Sequence, residues 1–400
     1  MDPHAAADQA ELRRRAALAA LADMTEHGWA VVPRAALGLD PAVVEAAHAS
    51  IWDAADRLAY HRAGAFPERP FRSIVRAFDD PEWSELAPPV FGGVGGFTQH
   101  QFLPEQVALQ TDPVIEAFYR DLYLADGRLA PGPGEHAYRR PDGAGPALVA
   151  PDPRDPRAAG APVLFYTYAE RANITLPGAL QAIVGQIGAK PHLDCNPWEP
   201  DYGRGDVAVD PAAEEKAHYM ARRWPIDRPY QSYVSLTDCP GGPLSGGMGV
   251  AEGSHEQFRR LRELPPHGKN PRWGNLVRVL PQPGGAWRAE AGADDARAVD
   301  ELHADILGAM RFPRYSAGDL VIWDRETTHR GCERNFANAH QARVYVNKLP
   351  LNLRNDTFAA YQADQTLAGV QTHGRRADRN EAAHVAMLTP YQRAALGIPE

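Results

Sequence analysis

The chain has 400 residues, long enough for one large domain or two ordinary ones, and its Lys+Arg 42 against Asp+Glu 51 leave a net charge of -9. That balance argues against a general nucleic-acid binder, which carries a basic surplus or stripe. No apolar run reaches transmembrane length, and the opening "MDPHAAADQAELRRR" lacks the apolar centre of a signal peptide.

The three cysteines, Cys195, Cys239 and Cys332, are too few and too scattered for a disulfide framework or a zinc ribbon. The expected setting is therefore a soluble protein in a reducing, cytoplasmic compartment, with structural cysteines and neither nucleic acid nor membrane as partner.

Taken in chain order, "AELRRRAALAALADMTEHG" reads as an amphipathic helix stopped by Gly28, and "WAVVP" as a short strand. Asp40-Pro41 opens a second helix, "DPAVVEAAHASIWDAADRLAY", with an N-cap aspartate and proline at the first helical position. Asp112 and Pro113 give the same signal for "DPVIEAFYRDLYL". From 126 to 162 proline and glycine dominate, which predicts an irregular insertion and not a domain.

Past Pro162 the character changes. "VLFYTYAERANITL", "LQAIVGQIGAKPHLD", "YQSYVSLTD", "DLVIWD" and "ARVYVNKLPL" are β-branched and aromatic runs between turn signals. They sit too close together for strand–helix–strand units, so an antiparallel sandwich or barrel is expected. "TPYQRAALG" returns to helix between Thr389 and Gly397. The reading is one domain, mainly β with flanking α-helices: a helical flank and first strands over 1–125, the insertion over 126–162, a β core over 163–350 and a helical tail over 351–400.

In a strand, residues two apart share a face, so "HLD" aims the His192 imidazole and the Asp194 carboxylate into one space. His329, just past the strand "DLVIWD", is the candidate third ligand. Two histidines and a carboxylate on one face of an octahedron leave three positions open, the arrangement of non-haem Fe(II) oxygenases. Taken alone, His-x-Asp is a weak signal, and a lone histidine is more often a satisfied loop residue.

Three further features weigh on that balance. "YVSLTDCPGGPLSGGMGVAEGSHEQF" ends a strand at Thr237-Asp238, turns through glycines and reaches a short strand, "MGVAE". There, Ser254 and Gln257 predict a capping box for the helix "HEQFRRLREL". Gly318-Asp319 predicts a turn into the strand that delivers His329. Arg343 alternates with apolar residues in "ARVYVNKL" and needs an anion: a carboxylate of a bound ligand or an internal Asp or Glu.

The order "HLD … LTD … EGSH … AGDLVIWD … H … R" resembles the phytanoyl-CoA dioxygenase-like family of Fe(II)/2-oxoglutarate-dependent oxygenases, over about Val163 to Leu349, and "EHGWAVVP" is similar to that family's opening. The resemblance implies a double-stranded β-helix, the jelly roll of cupins. It implies Fe(II) on His192, Asp194 and His329, with no catalytic group beyond these ligands. It also implies 2-oxoglutarate held by Arg343, with Thr237 beside it and Trp198 lining the pocket.

The implied reaction uses O2 and 2-oxoglutarate, releases succinate and CO2, and most often hydroxylates an unactivated C–H bond of a small, biosynthetic substrate. Asp194 argues against chlorination, since related halogenases carry glycine or alanine there. Two departures concern the cosubstrate: Gly331 and Tyr345 stand where the family often has serine, and the His329-to-Arg343 spacing is slightly long, with Arg334 as fallback.

Arg72 and Arg76, in "ERPFRSIVR", are candidate contacts for an anionic substrate, and the chain is expected to act as a monomer or homodimer. The rival reading is a cupin-like zinc or other divalent-metal isomerase or hydrolase that uses no 2-oxoglutarate. A third is a scaffold protein that inherited the fold.

Overall fold

In the computed structural model the described residues are 3–63, 93–94, 102–127, 137–138, 148–149, 165–168, 170–178, 181–182, 186–194, 229–264, 277–278, 292–337, 339–350, 363, 367 and 381–398. The helices are α1 Pro3–His27, α2 Arg34–Leu37, α3 Pro41–Ala63, α4 Pro104–Gln110, α5 Pro113–Ala125, α6 Ser254–Glu263, α7 Ala293–Gly308, α8 Glu381–Met387 and α9 Pro390–Ala395. The strands begin with β1 Trp29–Val32, β2 Gly93–Val94, β3 Ala137–Tyr138, β4 Leu148–Val149, β5 Phe165–Tyr168, β6 Ala172–Thr175, β7 Gln186–Ile187 and β8 His192–Leu193. They continue with β9 Tyr230–Ser235, β10 Met248–Ala251, β11 Val277–Arg278, β12 Met310–Arg311, β13 Leu320–Asp324, β14 His329–Gly331, β15 Gln341–Tyr345 and β16 Asn347–Pro350.

The expected helix signals act as read. Asp112 accepts from the Val114 backbone N–H at the start of α5. Thr389 and Gln392 form a reciprocal capping box on α9. Gly28 ends α1 with φ 85°, a conformation that glycine adopts without strain. A side chain there would strike Thr327 and His255.

Two five-stranded antiparallel sheets form the centre. One runs β1-β13-β9-β15-β6, the other β11-β8-β14-β10-β12. Strand alternation sorts the side chains of the first sheet into two cores. Leu320, Ile322, Val234, Ala342 and Val344 face outward and pack with Ala17 and Met24 of α1, Ile51 and Trp52 of α3, and Phe118 and Leu122 of α5. Tyr233, Val321 and Trp323 face inward and meet Met248 and Val250 of the second sheet. The second sheet sends Leu193 and Ala251 outward onto Phe258 and Leu261 of α6 and Leu302 and Ile306 of α7.

Strands buried on both faces read as continuous apolar runs, which is why "DLVIWD" carries no polar alternation. Helices therefore cover both outer faces, and more of the described residues lie in helix than in strand. The expectation of a mainly β chain understates that share. Helix α7, "ADDARAVDELHADILG", was not anticipated from the sequence; it buries a narrow stripe of Val299, Leu302, His303 and Ile306.

Outside the sandwich, Lys348 and Glu116 form a fully buried ion pair at 2.8 Å. The Lys348 ammonium also donates to Thr167 Oγ1 at 2.8 Å, and the Tyr391 hydroxyl donates to Glu116 Oε2. Burial lowers the Lys348 pKa, against the pull of Glu116. The cluster ties α5, β5, β16 and α9 together.

Removing one partner strands a buried charge, so Glu116→Ala is expected to destabilise the fold by about 3–5 kcal/mol. The double variant Glu116→Leu/Lys348→Met should recover most of that loss. Chemical denaturation measures both, and equal loss in the two would show that the charge pair is not the cause.

Candidate metal centre

His329, distant in sequence, meets the neighbouring pair His192 and Asp194 in space. Ligand atoms of His192, Asp194 and His329 all lie within 4.8 Å of one another. His192 and His329 are directly paired across β8 and β14, with ring centroids 4.4 Å apart. His192 Nε2 is 3.5 Å from Asp194 Oδ1, and His329 Nε2 is 3.6 Å from Asp194 Oδ2. Leu193, between the first two, is fully buried on the opposite face, as strand alternation requires.

Both rings are oriented by the backbone. His192 Nδ1 meets the Lys190 carbonyl, and His329 Nδ1 meets the Thr327 carbonyl at 3.1 Å. A carbonyl only accepts, so each Nδ1 donates, and each Nε2 is the ring nitrogen turned toward Asp194 and the shared space. Two imidazole nitrogens and a carboxylate oxygen are a donor set that suits a divalent ion, which would draw the three atoms together.

The segment before His329 is pinned on both sides. The Thr327 hydroxyl donates to the Gly28 carbonyl at 2.8 Å, and the Thr328 N–H donates to Ser254 Oγ at 2.8 Å. This corrects the expected capping box. Gly253 is the N-cap of α6 and makes no side-chain cap bond, while the Ser254 hydroxyl serves the ligand strand instead.

Two residues not singled out from the sequence surround Asp194. Gln231 Nε2 donates to Asp194 Oδ2 at 2.8 Å, and Gln231 Oε1 accepts from the Trp323 indole N–H at 2.7 Å. The Trp323 ring in turn packs on His329, with centroids 5.2 Å apart. Gln231 and Trp323 are register partners across β9 and β13. The available signal was an amide inside the apolar run "YQSYV", one strand away from the run that ends in Trp323.

Arg343 lies in the same interior, 5% exposed, on the face of β15 that looks into the sandwich. Its Nη2 donates to Thr175 Oγ1 at 3.0 Å and to the Gly246 carbonyl at 2.9 Å. Its guanidinium lies 5.2 Å from the Tyr233 ring centroid. Among the described residues no carboxylate pairs with it, so the internal salt bridge weighed from the sequence is not formed there. Tyr233 bridges the two parts of the interior, since its ring also packs against Trp323 at 6.0 Å.

Tyr345 follows Arg343 on the same face. Burial raises its phenol pKa, against Arg343, and the group stays a neutral hydroxyl. Thr237 is half-buried and accepts from the Ala342 N–H at 3.1 Å, closing the end of β9 onto β15. Arg334, the fallback, is exposed. Trp198, Arg72, Arg76 and Cys195 lie outside the described residues. Cys239 and Cys332 are buried free thiols. No helix among the described residues is long and apolar enough to cross a membrane.

No protein-family model matches the chain, and no curated protein matches it. Solved structures do. A Salmonella typhimurium LT2 protein provisionally named an oxidoreductase superposes with a TM-score of 0.55 at 14% identity, over 94% of this chain and 82% of that one. The hypothetical protein JW0805 of Escherichia coli gives 0.55 at 15%, over 94% and 80%. SnoK, a non-heme alpha-ketoglutarate-dependent carbocyclase from nogalamycin biosynthesis, gives 0.37 at 13%, over 86% and 89%. At these identities the first two establish a shared fold and leave the chemistry to the site itself.

Gly188 presses on the exit of the ligand strand: a Cβ there would sit 2.1 Å from the Cys332 carbonyl oxygen. Gly188→Ala must displace backbone, at an expected cost of about 1–3 kcal/mol, and should weaken divalent-metal binding. Gly308→Ala, where a Cβ meets nothing within 4 Å, should leave both unchanged or slightly raise stability. Denaturation and a metal titration on the two variants decide the matter.

Proposed function

We propose that this chain is an Fe(II)- and 2-oxoglutarate-dependent oxygenase with a jelly-roll core, acting on a small-molecule substrate and most often hydroxylating it. The observation that carries this reading is Arg343. A guanidinium keeps its charge in a protein, and burying one without a carboxylate is costly. Here it is nearly fully buried, and among the described residues its hydrogen-bond partners are a hydroxyl and a carbonyl, with no carboxylate. That site suits the free carboxylate of a ligand, and a bidentate pair would satisfy the guanidinium.

In this reading His192, Asp194 and His329 hold the metal, which when loaded supplies the oxidising chemistry with O2 and 2-oxoglutarate. The residues of the chain bind, orient and exclude water. Arg343 fixes the far carboxylate of the cosubstrate. Tyr233, Trp323, Met248 and Val250 line the interior with apolar surface, which limits water at the reacting end. No side chain is assigned as acid or base.

The cupin-like alternative keeps the same three ligands. It gives no role to Arg343, which is why the oxygenase reading is preferred. An anaerobic titration of the metal-free protein with Fe(II), then 2-oxoglutarate, separates the two through the weak visible charge-transfer band of the chelate. Wild type should develop the band. His192→Ala should lose it. Arg343→Ala should need about 10- to 100-fold more 2-oxoglutarate, since a charge-assisted pair contributes about 1.5–3 kcal/mol. Iron binding without a band would leave the alternative standing.

A further inference from the structure

We infer that Cys239 and Cys332 are an internal reductant that discharges the metal site when it turns over without substrate. The inference rests on the oxygenase reading.

The two thiols are distant in sequence and share one hydroxyl. Cys239 Sγ donates to Ser245 Oγ at 3.4 Å, and Cys332 Sγ lies 3.8 Å from the same oxygen. Gly247 touches both residues. Its carbonyl accepts from the Cys332 N–H at 3.0 Å, and a Cβ on it would sit 2.6 Å from Cys239 Sγ. At 1% and 2% exposed, the thiols are shut off from solvent, and burial raises the Cys332 pKa. Buried, protonated thiols are inert to oxidants in solution.

The same thiols connect to the metal site through side chains that can be oxidised. Trp323 packs on His329 with centroids 5.2 Å apart. Tyr233 meets Trp323 edge-to-face at 6.0 Å, and Tyr315 meets Tyr233 edge-to-face at 5.8 Å. Tyr315 pairs with Cys239 through two backbone hydrogen bonds, at 2.8 and 3.2 Å. Its hydroxyl faces the space beside Gly247 that also holds Cys239 Sγ, since the same added Cβ would sit 2.8 Å from it. The route runs from His329 through Trp323, Tyr233 and Tyr315 to Cys239, each step a contact between neighbours. Arg343 lies over Tyr233 and opposes loss of an electron there; a carboxylate bound to Arg343 offsets that charge.

In coupled turnover the oxygen atom left after decarboxylation goes to the substrate. Without substrate, electrons are drawn from the thiols one at a time, each ring losing an electron and regaining one from the next. The S–H bonds of Cys239 and Cys332 break, and the S–S bond forms once the Ser245 hydroxyl turns aside. Their two protons leave on that oxygen as water. The balance is 2-oxoglutarate + O2 + 2 R–SH → succinate + CO2 + R–S–S–R + H2O. Thiol–disulfide exchange with an external thiol restores the pair.

The test uses the full chain with Fe(II), 2-oxoglutarate and O2, and no substrate. Alkylation in denaturant followed by peptide mass mapping reads the Cys239–Cys332 disulfide, and succinate is counted alongside. Wild type should accumulate the disulfide in step with succinate. Metal-free protein in hydrogen peroxide should keep both thiols. Tyr315→Phe keeps the ring packing but is far harder to oxidise, and should lose most of the disulfide formed per succinate. Tyr233→Phe tests the preceding link by the same ratio. Succinate without the disulfide in wild type, an unchanged ratio in either variant, or equal disulfide from peroxide alone would overturn the inference. Wild type that binds iron and gives neither the chelate band nor succinate would overturn the oxygenase reading, and the inference with it.

Discussion

The interaction on which the site depends is the directed chain from Trp323 through Gln231 to Asp194. It runs donor-only, then donor and acceptor, then acceptor-only, so it has one satisfied arrangement. It also couples the two sheets: Gln231 and Trp323 stand on adjacent strands of the first, while Asp194 follows the strand of the second that carries His192. Trp323 closes the loop by packing on His329. The site is thus held from the opposite wall of the sandwich, and the separation of the sheets sets the distance between the carboxylate and its donor.

Two buried cations in this protein make an instructive contrast. Lys348 lies outside the sandwich and has Glu116, Thr167 and, through Glu116, Tyr391 around it. Its charge is answered by the protein, so it ties elements together and leaves nothing for a ligand. Arg343 lies inside, with a threonine hydroxyl, a backbone carbonyl and the face of Tyr233. Among the described residues those groups orient the guanidinium and no carboxylate pairs with it, which is the feature on which the proposed 2-oxoglutarate site rests.

Much of this was legible locally. His192 and Asp194 could be placed on one face because strand geometry alone decides it. Helix starts at Asp112 and Thr389 were readable because capping is a matter of three or four neighbouring residues. What escaped depended on register. Nothing in "YQSYVSLTD" says that Gln231 will face Trp323, because that pairing comes from which strands become neighbours. The jelly-roll expectation anticipated antiparallel sheets but not how much helix would cover their outer faces.

Ser254 is the clearest case of a local rule losing to tertiary structure. Its spacing to Gln257 matches a capping box, and an isolated helix would use it that way. In the fold, the Thr328 N–H needs an acceptor as the chain turns into β14, and Ser254 is beside it. Gly253 can take the N-cap position with φ 70° and needs no side chain to do so. Giving up one cap bond at the start of α6 places a buried acceptor behind His329. A buried N–H without a partner is costly, so the hydroxyl goes to Thr328, and His329 is held in place by a residue whose sequence context advertised a different job.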